Sequence, residues 1–409
     1  MRVGIHDIDG YVGRASLDAG VLFDARGLDR DRLTNLMMRR KSVNLPCEDP
    51  VTNAVNAALP LLRRMSPADI GDIELLVVGT ESGLDFGKPI STYIHHLLGL
   101  TRRCRSFEVK HACYGGTAAL HAAAAIVATS SNPRARALVI SSDAAARIDI
   151  DSYWEPSQGA GAVAMLVGRD PSILEIDLGR SGMYTFHVMD TLRPRPELEA
   201  GNSDLSLLSY LTCLDETYAM YCERNPGATF NSFDRMVFHT PFAGMVVGAH
   251  RTLTRKNGRL SRSEVARHFQ VAMAGGLEFA QDVGNTYGAS LYLALCSMLV
   301  HGHAKPGQRV GLFSYGSGCC SEFYSGTLQE GATSAPGPMA MSAAIGQRQE
   351  LDMATYELVS ELGEQRFCGV EHAEMTIEPY RELFEACLAG TGLAVLESIE
   401  GFERHYRFA

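Results

Sequence analysis

FEVKHACYGGTA, residues Phe107 to Ala118, is the stretch on which the reading of this chain turns. Ser106-Phe107-Glu108-Val109 is a short β-rich run, and an alanine-dominated helix former extends from Gly115-Gly116-Thr117 to Ala128. Cys113 therefore sits at a strand-to-helix turn close to a helix N-terminus. Free backbone N–H groups and the helix dipole favour a thiolate there, which makes the sulfur a better nucleophile than a free cysteine. The paired glycines let backbone or substrate come close. Taken alone, the stretch leaves two readings open, a nucleophile or a small packing cysteine.

Working outward, buried strands flank it. Ile73 to Thr80 (IELLVVGT), Ala137 to Asp143 and Ala160 to Gly168 (AGAVAMLVG) are apolar runs of strand length. They alternate with helical segments such as Val51 to Met65, which predicts a layered α/β fold with a largely parallel sheet. Val3 to Tyr11 reads as the first strand, and Ser66 as the start of a helical turn with Pro67. The Ile73 strand empties into Thr80-Glu81-Ser82-Gly83, so Glu81 stands at a strand mouth, as a functional carboxylate or as a cap or solvated loop end. The second half repeats the outline. Met236 to Phe242 brings His239 to a strand end, Gly284-Asn285-Thr286-Tyr287-Gly288 opens the apolar helix Ala289 to Leu299, and Val310 to Tyr315 runs into Gly316-Ser317-Gly318. That repeated order suggests a duplication. Ser261 to Gly276 reads as a helix, Gly331 to Ala344 as a loop, and the C-terminal part as a polar helical tail leading to an aromatic, basic end at Phe402 to Phe408.

Composition narrows the functions. In 409 residues, 46% apolar against 21% charged describes a globular chain with a large core. A formal charge of −10 argues against nucleic acid as the main partner. No apolar run approaches the roughly 20 residues that span a bilayer. The 10 cysteines have no regular spacing, and the N-terminus lacks a signal pattern, which points to a cytoplasmic protein with free thiols. There is no CxxC or HExxH to suggest a metal site, and no GxxxxGK[ST] or strand-linked GxGxxG to suggest a nucleotide.

Six segments together resemble the 3-hydroxy-3-methylglutaryl synthase family of thiolase-fold enzymes: GTESG (Gly79 to Gly83), SFEVKHACYGGTAAL (Ser106 to Leu120), EPSQGAGAVAMLVG (Glu155 to Gly168), FHTPF (Phe238 to Phe242), VGNTYGASLYLAL (Val283 to Leu295) and YGSGCCSEF (Tyr315 to Phe323). They occur in the family's order. The resemblance implies an αβαβα sandwich of two duplicated βαβαβαββ halves, residues 1–168 and 169–409, normally paired as a homodimer. It also implies roles: Cys113 as acyl-accepting nucleophile, Glu81 as general acid/base and His239 as the polarising residue on the acceptor side. Asn285, Tyr287, Gly316 and Ser317 would line the substrate pocket, and the N–H groups of Cys113 and Ser317 would form an oxyanion hole. The implied reaction is an aldol-type condensation of a Cys-bound acetyl group with a ketone on a second thioester, without a metal or a bound organic cofactor.

Departures from the family point to the donor. Members that use coenzyme A carry lysines where this chain has Gly244 and Val247, and no positive charge precedes His250 here. A pocket tyrosine of the CoA type is replaced by Arg147. With NLMMRRKSVNLPCEDPVT (Asn35 to Thr52), these features resemble the polyketide β-branching branch, whose acyl groups ride on the phosphopantetheine of acyl carrier proteins. The expected partners are a donor and an acceptor carrier protein, with acetyl or propionyl as the donor group. Acidic carrier proteins need a basic surface on an acidic enzyme. Candidates are His250, Arg251, Arg255 and Arg259 in one cluster and Arg32, Arg39, Arg40 and Lys41 in another, or either cluster is a solvated face. The alternatives are a CoA-dependent synthase and a silent carrier-binding scaffold; the retained Glu81, Cys113 and His239 argue against the scaffold.

Overall fold

A computed structural model describes residues 1–144, 150–195, 198–258 and 260–409. The strands of the main sheet run in the order Arg235–Phe238, Arg309–Gly316, Cys320–Leu328, Leu174–Ile176, Val3–Tyr11, Gly161–Arg169, Arg136–Asp143, Ile73–Gly79 and Arg105–Val109, and Gly182–Thr185 pairs with Cys320–Leu328. The sheet consists of two similar blocks. In the first, Ile73–Gly79 lies parallel to Arg136–Asp143, which is antiparallel to Gly161–Arg169, itself antiparallel to Val3–Tyr11. In the second, Arg235–Phe238, Arg309–Gly316, Cys320–Leu328 and Leu174–Ile176 repeat those relations in the same chain order. A two-residue pairing of Gly4 and Ile5 with Glu175 and Leu174 joins the blocks.

The sheet is mixed, which corrects the expectation of a largely parallel one. In the second block Cys320–Leu328 follows Arg309–Gly316 without a crossover helix. The turn between Gly316 and Cys320 is short, and a connection of that kind permits only antiparallel pairing.

Alternation along the strands builds the layers. Leu75 and Val77 face a core shared with the helices Gly115–Thr129 and Ser290–His301, whereas Leu76 and Val78 face the outer helix Pro50–Arg63. In the second block Leu312 joins the central core, while Phe313 packs with residues of Ser203–Arg224 and Ala243–Asn257. The result is helix, sheet, helix, sheet, helix, with the two apolar helices in the middle.

Gly116 shows how closely those central helices meet. A Cβ there would lie 2.1 Å from Ser141 Oγ and 2.5 Å from the Gly288 carbonyl oxygen. Gly116→Ala is therefore expected to destabilise the fold by about 2 kcal/mol or more, read as a lower urea midpoint at unchanged slope; an unmoved midpoint would contradict this packing.

Two segments differ from the sequence reading. Within Gly331 to Ala344 the chain forms a 3-10 turn, Glu330–Ser334, and the helix Pro336–Gly346. Pro336 occupies the first turn, where its missing N–H costs nothing, and Met341 and Ile345 bury in the central core. The C-terminal tail is not wholly helical. Besides Met353–Glu364 and Arg381–Cys387 it holds the antiparallel strands His372–Glu374, Ala394–Glu400 and Glu403–Phe408. Gly401 and Phe402, both at positive φ, make the tight turn between the last two strands.

Candidate active site

Cys113 lies between the strand Arg105–Val109 and the helix Gly115–Thr129. Ala112 takes φ 39°, in the left-handed region, and Tyr114 N donates to His111 O at 3.0 Å, so the turn is tight and presents the sulfur at the helix entrance. Cys113 Sγ donates to Glu81 Oε2 at 3.4 Å. The two residues come from neighbouring parallel strands, whose carboxyl ends open side by side.

Asp143 fixes the Glu81 turn. It ends the adjacent strand, and its Oδ1 accepts from Thr80 Oγ1, Glu81 N, Ser82 N and Ser82 Oγ at 2.9–3.1 Å. Its Oδ2 accepts from Gly288 N at 3.2 Å, tying the first block to the loop that opens the second central helix. Burial raises the Asp143 pKa, and these donors pull it back.

Electrostatics correct the thiolate expectation. Burial, with the negative charges of Glu81 and Asp143, holds the Cys113 thiol well above its ordinary pKa. The helix dipole is outweighed, and the resting sulfur is an S–H pointed at a carboxylate. Burial likewise pushes Glu81 up to about 7, against the pull of Arg193. A carboxyl with that pKa exchanges protons near neutrality.

The second block supplies the opposite wall. Gly316 abuts the nucleophile turn so closely that a Cβ would sit 2.6 Å from Tyr114 N and 2.7 Å from His111 O. Ser317 follows, half-buried. Buried Asp190 anchors this loop, accepting from Gly318 N at 2.9 Å and from the Tyr315 hydroxyl. His239 follows directly on the strand Arg235–Phe238, with its backbone N–H donating to Phe313 O at 2.8 Å and its carbonyl accepting from Tyr210 OH at 2.7 Å. Burial lowers its pKa to about 3, so the imidazole is neutral, and Nδ1 has no hydrogen-bond partner among the described residues.

Asn285 Oδ1 accepts from Tyr287 N and Ser290 Oγ at 2.9 and 2.7 Å. The buried Tyr287 takes φ 51°, and its hydroxyl has no hydrogen-bond partner among the described residues. Over its ring, at 5.0 Å, lies the guanidinium of Arg193, which also reaches Glu81 and Glu199. Asp143, Asp190, Arg193 and Glu199 were not singled out by the sequence. Only the tertiary fold brings them here. Arg147 and Arg259 lie outside the described residues.

The basic clusters divide. Lys41 is buried, its Nζ donating to Glu155 O at 2.7 Å and Tyr356 OH at 3.1 Å, and His250 is buried against His268 at 2.9 Å. Neither is a surface cation: Lys41 is enclosed between elements, and His250, whose pKa burial lowers to about 4, is a neutral part of a groove lining. Arg39 is exposed but paired with Asp282 and Glu278, and Arg32 lies over the Tyr153 ring. Arg251, Arg255 and Arg262 are exposed, and with Met37, Val247 and Phe269 they line a groove of about 840 Å³. A Cβ on Gly244 would lie 1.8 Å from Asn35 O, so the helix Arg30–Leu36 excludes any side chain there.

Comparison with known proteins matches residues 2–172 to the family model described as hydroxymethylglutaryl-coenzyme A synthase N terminal, and residues 174–264 and 247–372 to its C-terminal counterpart. The chain is 44% identical over 419 aligned residues to the polyketide biosynthesis 3-hydroxy-3-methylglutaryl-ACP synthase PksG of Bacillus subtilis, covering 100% of this chain and 99% of that protein. It is 33% identical to a hydroxymethylglutaryl-CoA synthase of Enterococcus faecalis, covering 87% of this chain and 91% of that one. Among solved structures, the HMG synthase of the curacin biosynthetic pathway in complex with holo donor-ACP superposes with a TM-score of 0.96 at 44% identity, covering 100% of both chains.

Proposed function

The chain belongs to the hydroxymethylglutaryl-coenzyme A synthase family of acyl-transferring, carbon–carbon bond-forming enzymes, and from that premise we propose that it condenses acyl groups carried on acyl carrier proteins to install a β-branch in a polyketide. The observation that carries the chemistry is the contact of Cys113 Sγ with Glu81 Oε2 at 3.4 Å, with Glu81 held at about 7.

In this reading Glu81 takes the thiol proton as Sγ attacks the thioester carbonyl of an acetylated phosphopantetheine. The N–H groups of Cys113 and Ser317 hold the oxyanion, and the pantetheine thiol leaves with the proton. Glu81, ionised again, removes a proton from the methyl group of the acetyl now on Cys113. The enolate attacks the β-ketone of the acceptor while neutral His239 donates a hydrogen bond to the ketone oxygen, and Glu81 returns its proton to the alkoxide. Water then cleaves the thioester, which frees Cys113 and leaves a carboxylate on the product. Asn285, Tyr287, Gly316 and Ser317 enclose the acyl chains.

The choice of carrier protein over coenzyme A is supported by Gly244 and Val247. The first position is closed by the Asn35 carbonyl, and the second is an apolar wall of the groove. Neither presents a cation to a nucleotide. Arg251 and Arg255 at the same groove offer exposed positive charge to an acidic partner that delivers its arm from the protein surface. Acyl transfer from a carrier protein is accordingly expected to exceed transfer from acetyl-CoA by about 10-fold or more in kcat/KM, equivalent to about 1.4 kcal/mol. Arg251→Glu with Arg255→Glu should slow the carrier-protein reaction through association, and less so at high salt. The reaction with acetyl-pantetheine should be unchanged. An equal or better rate with acetyl-CoA would replace this reading by the CoA-dependent one.

A further inference from the structure

Arg193 is carried on the hairpin formed by Thr191–Arg195 and Leu198–Gly201. Its Nη2 lies 3.4 Å from Glu81 Oε1 and 3.2 Å from Glu199 Oε2, and its guanidinium carbon 5.0 Å from the Tyr287 ring centroid. The side chain is 10% exposed, yet among the described residues Nε and Nη1 have no hydrogen-bond partner. A buried guanidinium with two unmatched nitrogens is a poor device for stability, since charge is taken from water without full return. Its position next to Glu81 gives it another use.

We propose that Arg193 is a positioning residue for proton removal: it holds Oε1 of Glu81 so that Oε2 faces the group on Cys113, and Glu199 shares the guanidinium and limits its pull. The two oxygens of Glu81 are thereby given separate tasks, one facing the cation and the other the sulfur at 3.4 Å. When Oε2 takes a proton from the acetyl methyl, the electron pair moves to the thioester oxygen, and the cation at Oε1 keeps the carboxylate from turning away. Among the described residues, the charged or titratable groups facing Glu81 are Arg193 and Glu199 from the hairpin, Asp143 from its strand, Cys113 from the nucleophile turn and Tyr287, whose hydroxyl burial keeps protonated, from the loop that opens the second central helix. Arg193 favours the ionised base, and Glu199 and Asp143 oppose it. Loss of Arg193 must therefore move the acid limb of the pH profile to higher pH, and loss of the Glu199 charge must move it lower.

The inference rests on the proposed acyl-enzyme chemistry, and the test separates the two. The intact protein is loaded with acetyl-pantetheine in deuterium oxide over a series of pH values, and mass spectrometry follows both the acetyl on Cys113 and the exchange of its methyl hydrogens. At pH 6, Arg193→Gln should load but exchange at on the order of one-tenth the wild-type rate. Arg193→Lys should recover much of the loss, and Glu199→Gln should exchange faster than wild type. Opposite displacements of the two acid limbs are not produced by simple loosening of the hairpin, and Glu199→Gln and Arg193→Lys keep the test open should Arg193→Gln not fold. Limbs that stay in place, or that move together, would overturn the role of Arg193. A wild-type protein that never takes up acetyl would overturn the acyl-enzyme reading and this inference with it.

Discussion

Cys113→Ala is expected to take up no acetyl group from any donor, and turnover should fall by about 1,000-fold or more, to the level of uncatalysed exchange. The sulfur is the only group at this turn that can form the thioester, and the water that reaches an alanine site has no held acyl group to release. The fold should survive, because the tight turn is made by backbone bonds of His111, Ala112, Tyr114 and Gly115. Intact mass spectrometry after incubation with acetylated carrier protein reads the result directly, and a thermal midpoint near wild type excludes collapse. An alanine variant that still gains the acetyl mass would remove Cys113 from the reaction. The wild-type thiol carries a further signature. Because burial and the charges of Glu81 and Asp143 hold its pKa above the ordinary range, alkylation by iodoacetamide should be slower than for an exposed cysteine at the same pH.

Much of this arrangement was legible in the sequence, because strand–loop–helix junctions announce themselves by composition. Apolar runs that end in GTESG, ACYGG, HTPF and YGSG mark strand mouths, and Glu81, Cys113, His239 and Ser317 all lie at such mouths in the fold. Asp143 was visible only as the last letter of a strand, since nothing local reveals that its oxygens gather Thr80, Glu81, Ser82 and Gly288. Arg193 lies in an irregular stretch, MDTLRPRP, and acquires meaning only when its hairpin folds over Glu81. Lys41 and His250 failed as surface cations for a related reason. Clustered basic letters carry no information about which side chain turns inward, and Lys41 turns toward Glu155 and Tyr356. The sense of the thiol's pKa shift was missed because a helix dipole can be read from the chain, whereas burial beside two carboxylates cannot. The Pro336–Gly346 helix was hidden by glycine and proline, whose cost at a helix start is small.

Glu81→Gln should separate the two halves of the reaction. Acetyl transfer to Cys113 should persist: glutamine is no base, but replacing the carboxylate removes a negative charge that holds the thiol protonated, so the thiol pKa falls and more thiolate is present. Condensation has no such compensation. A thioester methyl is a weak carbon acid, the amide cannot take its proton, and no other ionisable base touches Cys113 among the contacts described. The condensing step should drop by about 100- to 10,000-fold while the acetyl-enzyme accumulates. The pH dependence follows with a definite sign. In the wild type the base is the ionised form of a carboxyl whose pKa is raised to about 7, so condensation should weaken as pH falls through that value and level off above it. In the glutamine variant this limb should vanish, leaving a slow rate that ignores pH across the same interval. Condensation within a few-fold of wild type would assign the base elsewhere. Equal loss of acetylation and condensation with an unchanged thermal midpoint would mean that Glu81 is indispensable as the thiol's base as well, and the same loss with a lowered midpoint that the site had come apart.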